Sequence, residues 1–123
     1  MTGPLSGVRV LELPALGPVP FLGMLLADLG AEVLRVDKIG TSDLGSTLAA
    51  GPLGRGRRSI ELDLRKPGAA EVVLRLSERC DVLIEGFRPG VAERLGIGPD
   101  AVRARNPKLV YGRITGWGQH GPL

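Results

Sequence analysis

The stretch from Arg9 to Asp37, RVLELPALGPVPFLGMLLADLGAEVLRVD, decides the fold. Val10–Leu13 is a short apolar run typical of a strand, and the Pro- and Gly-rich residues after it predict a loop. Phe21–Leu29 then predicts a helix, which Gly30 ends, and Glu32–Asp37 predicts a second strand. A strand, a helix and a strand within about 30 residues form a right-handed βαβ unit, the seed of a parallel sheet.

Strand and helix patterns continue to alternate along the chain. Further strands are predicted at residues 59–64, 81–85 and 109–114. Between them, Ala69, Val72, Val73 and Leu76 form one helical stripe, and prolines at positions 67, 89 and 99 can each open a helix. This alternation predicts an α/β fold with a doubly wound, Rossmann-like parallel sheet. A length of 123 residues suits a single domain.

The predicted helix Phe21–Leu29 has almost no polar face, since Asp28 is its only charged residue. We therefore expect it to be covered on both sides, by its own sheet and by something else. Its longest apolar run is far too short to span a bilayer. The N-terminus lacks the pattern of a signal peptide, so a cytoplasmic location without membrane attachment is expected.

The composition narrows the class of function. Aromatic residues make up 3% of the chain, which argues against a protein that stacks single-stranded nucleic acid on aromatic rings. The net charge of +3 suits a small anionic ligand as well as an anionic polymer. Cys80 is the only cysteine, and no zinc or two-carboxylate motif stands out, so neither a disulfide nor a metal site is expected.

Basic residues follow the predicted strands at their carboxyl ends. Lys38 follows the second strand, Arg65 and Lys66 the third and Arg88 the fourth, while Arg94 lies slightly further on. Because these ends share one edge of a parallel sheet, the cations could face one crevice and bind a phosphate-bearing small molecule. The alternative is a scatter of solvated surface charges.

Two further alternatives concern the loops. The long loop from Lys38 to Arg58 ends in the basic cluster Arg55–Arg58, which could be solvated or could bind an anion. Asp37 stands where a nicotinamide-dependent enzyme would place its ribose-binding acid. The first loop, however, has only Gly17 and Gly23 in place of the G-x-G-x-x-G pattern, which disfavours that cofactor.

Several unbroken motifs resemble those of the family III CoA-transferases. They are Gly3–Leu13, Met24–Val33, Asp81–Val91, Arg94–Gly96 and Thr115–Gln119. The resemblance covers nearly the whole chain and implies the N-terminal part of the large domain of that family. Within the family, Gly17–Phe21 and Arg35–Lys38 look like the α-methylacyl-CoA racemase branch. Transferase members more often carry an acid-proline-glycine run after the second strand, which is missing here.

The resemblance implies that the crevice holds the nucleotide part of coenzyme A as part of an acyl-CoA thioester substrate, with no tightly bound cofactor. The implied CoA contacts are Lys38, Leu62, Asp63, Leu64, Arg65, Gly86, Phe87, Arg88 and Arg94. Lys38 replaces the arginine that usually contacts the phosphates, which keeps the charge but loses the planar fork.

The resemblance also implies the chemistry. Racemases of this kind are thought to use a histidine and an aspartate on opposite sides of the α-carbon of a 2-methylacyl-CoA. Both are expected beyond Leu123, so the chain is expected to be a truncated CoA-binding domain without catalytic residues. His120 lies in a Gln-His-Gly-Pro turn and is not expected to be catalytic. The alternatives are CoA transfer between carboxylic acids and a free-standing CoA-binding module. The complete enzyme is expected to be an interlocked homodimer acting in lipid metabolism.

Overall fold

The structure is a computed structural model, and it describes residues 3–39 and 52–122. The strands in these residues form one sheet. They are β1 (Arg9–Glu12), β2 (Glu32–Asp37), β3 (Arg58–Glu61), β4 (Val82–Glu85) and β5 (Val110–Arg113). Their order across the sheet is β3-β2-β1-β4-β5, and every neighbouring pair is parallel. The predicted doubly wound parallel sheet is therefore confirmed.

The central strand β1 is buried on both faces of the sheet. Leu11 of β1 lies opposite Leu34 of β2 and Leu83 of β4. Because successive side chains of a strand alternate between faces, Leu11 and Leu83 enter one buried cluster, whereas Val10 and Ile84 enter the other. A parallel sheet covered on both faces needs this nearly continuous run of apolar residues.

The helices cover the two faces of the sheet. They are α1 (Pro18–Asp28), α2 (Ala69–Ser77), α3 (Val91–Arg94) and α4 (Pro99–Arg105), with a short 3-10 helix at Pro52–Gly54. Helix α1 contributes Val19 and Ala27 to the cluster that contains Val10. The helices α2, α3 and α4 contribute Val73, Ala92 and Val102 to the opposite cluster.

Several predicted boundaries were wrong by a few residues. Helix α1 begins at Pro18 rather than Phe21, because the first turn of a helix needs no backbone N–H partners and therefore accepts prolines. Strand β3 ends at Glu61 rather than at residue 64. Asp63 turns the chain there: its Oδ1 accepts a hydrogen bond of 3.0 Å from the Arg65 N–H.

The outer face of α1 carries large apolar side chains. Phe21 and Leu25 of the helix, and Leu29 directly after it, are 54%, 42% and 37% exposed, so the described residues do not supply the second cover that the sequence predicts. Neither α1 nor any other helix within residues 3–39 and 52–122 is long and apolar enough to cross a membrane. The middle of the predicted loop from Lys38 to Arg58, residues 40–51, lies outside the described residues.

Candidate functional site

The strand order predicts a crevice between β1 and β4. The chain leaves β1 towards β2 on one side, whereas β4 and β5 lie on the other, so the loops after β1 and β4 diverge at this point. Ligands of open α/β sheets bind at such a position, beyond the carboxyl ends of the strands. A groove of about 330 Å³ lies beyond the ends of β4 and β5.

The first wall of the groove is the loop after β4, Gly86, Phe87, Arg88 and Pro89. Gly86 has to be a glycine because a Cβ there would come within 2.7 Å of Val19 in the first turn of α1. The close approach brings the β4 loop against the β1–α1 connection. Phe87 is partly buried against the core, while Arg88 is exposed, so the loop is anchored at one residue and presents a guanidinium at the next.

The second wall is the turn after β5, Thr115, Gly116, Trp117 and Gly118. The Thr115 hydroxyl accepts a hydrogen bond of 2.7 Å from the Gly118 N–H, which closes the turn. The turn leaves Trp117 75% exposed at the groove. A groove with an indole, a phenyl ring and one guanidinium suits a ligand that has both an apolar and an anionic part.

Some of the predicted CoA contacts line the groove, and the others lie outside its lining. Gly86, Phe87 and Arg88 line the groove. Arg94 is exposed at the end of α3, on the same side of the crevice, and is not part of the lining. Lys38 is exposed after β2, on the other side of the crevice.

The segment after β3 is more distant from the groove. Arg65 has an 87% exposed side chain, next to Asp63. Leu62 and Leu64 are partly buried and pack against the main core. In the sheet, β3 and β4 are three strand positions apart, which separates the strands themselves by roughly 14 Å. A single crevice shared by Lys38, Arg65, Arg88 and Arg94 stays a prediction.

Asp37 is already engaged in an ion pair. Its two carboxylate oxygens accept hydrogen bonds of 2.8 and 3.1 Å from Arg35 on the same strand. This pairing leaves Asp37 less available for a ribose and further disfavours the nicotinamide alternative. No group of three or more His, Cys, Asp or Glu side chains in the described part of the chain is arranged to hold a metal ion.

Sequence reasoning missed a buried ion pair at the end of β1. Arg57 donates hydrogen bonds to Glu12 Oε1 at 2.5 Å and to the Pro20 carbonyl at 3.1 Å. Both charged side chains are at most 1% exposed. Burial raises the pKa of Glu12 to about 7, with Arg57 opposing the rise. The sequence offered two alternatives for the basic cluster Arg55–Arg58, a solvated loop or an anion-binding one, and Arg57 fits neither. Arg55 forms an ion pair with Asp28 at 2.6 Å.

A second missed cluster lies at the end of β4. The Glu85 side chain is fully buried, and its Oε1 accepts a hydrogen bond of 3.2 Å from the Phe87 N–H. Its Oε2 lies 3.3 Å from Arg113 Nε, in an ion pair, and 3.4 Å from the hydroxyl oxygen of Tyr111, which donates its single proton to the nearer Ile97 carbonyl at 2.7 Å. Burial raises the pKa of Glu85, and Arg113 opposes the rise. The other nitrogens of Arg113 donate to Glu93 at 3.0 and 2.8 Å.

Both clusters had a sequence signal. Each apolar strand, Val10-Leu11-Glu12 and Leu83-Ile84-Glu85, ends in a glutamate that follows two core residues. An acid at that place is either at the solvent edge or buried with a partner, and the partners here come from later segments of the chain.

Comparisons with known proteins agree with the resemblance. A sequence model described as CoA-transferase family III matches residues 5–123. The chain is 49% identical, over 95% of its length, to α-methylacyl-CoA racemase of Homo sapiens, of which it covers 29%. It is 43% identical, over 97% of its length, to succinyl-CoA–D-citramalate CoA-transferase of Chloroflexus aurantiacus, of which it covers 32%.

A solved structure gives the same result for the fold. The crystal structure of Rv3272 from M. tuberculosis superposes with a TM-score of 0.90 at 42% identity, covering 98% of this chain and 34% of that one. The chain thus spans about a third of the length of the relatives it matches. With a family match over nearly its whole length, the chain belongs to CoA-transferase family III.

Proposed function

We propose that residues 1–123 are the CoA-binding part of an α-methylacyl-CoA racemase, an isomerase that inverts the α-carbon of 2-methyl-branched acyl-CoA thioesters. The observation that carries the proposal is the groove beyond β4 and β5, one wall of which is Gly86-Phe87-Arg88. The 49% identity to the human racemase supports the choice of reaction.

In this proposal the groove takes the CoA ester at the junction of its apolar and anionic parts. Arg88 would bind a phosphate through charge-assisted hydrogen bonds, and Phe87 and Trp117 would pack against the pantetheine arm. Lys38, Arg94 and the segment Leu62–Arg65 would contact the nucleotide on either side of the crevice. Coenzyme A would thus enter as part of the substrate rather than as a resident cofactor.

Inversion needs one group to remove the α-proton and a second group to return a proton to the opposite face. The residues that line the described groove include no carboxylate, imidazole or thiol. We therefore place the proton-transfer pair outside the groove walls, and propose that this chain binds and orients the thioester. His120 is exposed and does not line the groove, so it is not assigned a role in proton transfer.

CoA transfer between carboxylic acids is the second candidate, because the 43% identity to a CoA-transferase is only slightly lower. The two reactions are separated by incubating the protein encoded by the complete gene with 2-methylacyl-CoA in heavy water. Deuterium uptake at the α-carbon without an acceptor acid supports the racemase. CoA transfer to added carboxylates without such uptake would overturn it in favour of the transferase. CoA binding with neither reaction would indicate a binding module.

Three further expectations stay predictions of the resemblance or of the sequence. They are the interlocked homodimer, the role in lipid metabolism and the cytoplasmic location. The oligomeric state is directly measurable by light scattering of the complete protein, and a monomer would contradict the first of them.

A further inference from the structure

The buried carboxylate of Glu85, the last residue of β4, contacts the loop after β4, which forms one wall of the groove, and the neighbouring strand β5, which precedes the other wall. In the loop after β4, the N–H of Phe87, the residue before Arg88, donates a hydrogen bond of 3.2 Å to Glu85 Oε1. The other carboxylate oxygen, Oε2, forms an ion pair with Arg113 on β5, 3.3 Å from Nε, and lies 3.4 Å from the Tyr111 hydroxyl oxygen. The turn Thr115–Gly118 begins two residues after β5 ends. The Glu85 side chain therefore contacts the loop that forms the first wall and the strand that leads into the second wall.

Arg113 extends this connection to α3. Its Nε lies 3.3 Å from Glu85 Oε2 in an ion pair that lacks hydrogen-bond geometry, and its two terminal nitrogens donate a fork of hydrogen bonds to the Glu93 carboxylate at 3.0 and 2.8 Å. Glu93 precedes Arg94, a predicted phosphate contact. The Arg113 guanidinium also lies 5.7 Å from the centre of the Tyr111 ring, which limits its freedom.

The cluster has few ways to rearrange. Glu85 is fully buried, and the Arg113 side chain is only 17% exposed. The Tyr111 hydroxyl donates its single proton to the Ile97 carbonyl at 2.7 Å, which fixes the ring beside Glu85. A buried charge that loses one partner cannot find water instead, so the partners stay in a single arrangement.

We propose that Glu85 and Arg113 are positioning residues for the CoA ester, which hold the loop presenting Arg88 and the helix presenting Arg94 in a fixed relation to the β5 wall. This inference rests on the proposed function, because it needs a CoA ester as the ligand. Neither residue is proposed to touch the substrate. Each acts through a neighbour, Glu85 through the Phe87 backbone and Arg113 through Glu93.

A double-mutant cycle on the complete protein tests the inference, with the dissociation constant of CoA measured by calorimetry. Glu85→Gln keeps the size and one acceptor but removes the charge that Arg113 and Tyr111 face. In the protein that retains Arg88, we expect Glu85→Gln to weaken CoA binding about tenfold, which is within the range of coupling energies for residues of one network. In the Arg88→Ala background the same change should weaken binding by less than about twofold, because the positioned group is gone.

Glu71→Gln is the matched control. It breaks a comparable arginine fork, to Arg105 at 3.1 and 2.6 Å, which joins α2 to α4 away from the groove. It should leave CoA binding unchanged in both backgrounds. Arg113→Lys, paired with Arg94→Ala in the same cycle, provides an independent route if Glu85→Gln does not fold.

The possible failures are distinguishable. If the unaltered protein binds no CoA, the proposed function is overturned, and this inference with it. If it binds CoA and Arg88→Ala weakens binding, but Glu85→Gln has equal effects in both backgrounds, the proposed function stands and the positioning role is overturned.

Discussion

Arg57 donates a hydrogen bond of 2.5 Å to Glu12, although 45 residues separate them and neither side chain is more than 1% exposed. The bond ties the segment before β3 to the carboxyl end of β1. Two further nitrogens of Arg57 are buried and have no hydrogen-bond partner among residues 3–39 and 52–122. A buried pair of this kind adds little net stability, but removing one partner is costly because the other charge is left buried.

The pair depends on the absence of a side chain at position 23 of α1. A Cβ on Gly23 would overlap the Glu12 carboxylate and come within 2.5 Å of Arg57 Nη1. We expect Gly23→Ala to lower the free energy of unfolding by about 1–3 kcal/mol, despite the better helix propensity of alanine. Denaturant unfolding measures the change. Gly116→Ala, where a Cβ meets no atom of the described residues within 4 Å, is the control, and an equal effect of both changes would contradict the account.

Stability should depend on pH through Glu12. Burial raises the pKa of this carboxyl from 4.5 to about 7. The folded state therefore holds this proton more tightly than the unfolded state, so its contribution is complete below about pH 4.5 and is lost as the pH rises through about 7.

The measurement is the free energy of unfolding of the unaltered protein relative to that of Glu12→Gln, which cannot ionise. This difference should fall by about 3 kcal/mol across the interval between the two pKa values. A difference that instead grows with pH would mean that attraction to Arg57 outweighs the cost of burial, and the assigned direction would be wrong.

The parallel sheet could be predicted because its physics is local in sequence. Apolar runs such as Val10–Leu13, alternating with helices, can bury their side chains only in a sheet covered on both faces. The partners of Glu12 and Glu85 could not be predicted in this way, because each arginine is brought to its acid by the tertiary fold. The start of α1 was missed because its prolines are equally compatible with a loop and with a first helical turn.

Only one of the two walls of the groove could be predicted from the sequence. Its first wall, Gly86-Phe87-Arg88, follows from the resemblance and from its place after an apolar strand. The motif of the second wall, Thr115–Gly118, was visible in the sequence but was not among the predicted contacts. Only the pairing of β4 with β5, with Ile84 opposite Gly112, sets the two loops side by side.

His120 gives a test of the proposed chemistry. Its side chain is exposed beyond the groove wall, so His120→Ala should leave most of the racemase rate of the complete enzyme intact. Loss of a general base costs about 100-fold or more. Deuterium uptake at the α-carbon of 2-methylacyl-CoA measures the rate, and a loss of that size, with unchanged CoA binding, would show that His120 is the base.

The central claim is that the groove beyond β4 binds a CoA ester through Arg88. Calorimetric titration of the complete protein with an acyl-CoA, comparing Arg88→Ala with the unaltered protein, tests it most directly. The control is Arg79→Ala, which removes the same charge but lies before β4, at the amino ends of the strands rather than at their carboxyl ends. We predict that Arg88→Ala weakens binding by roughly 1.5–3 kcal/mol, the range for hydrogen bonds to charged groups, and that Arg79→Ala does not. Equal affinities for all three proteins would contradict the account.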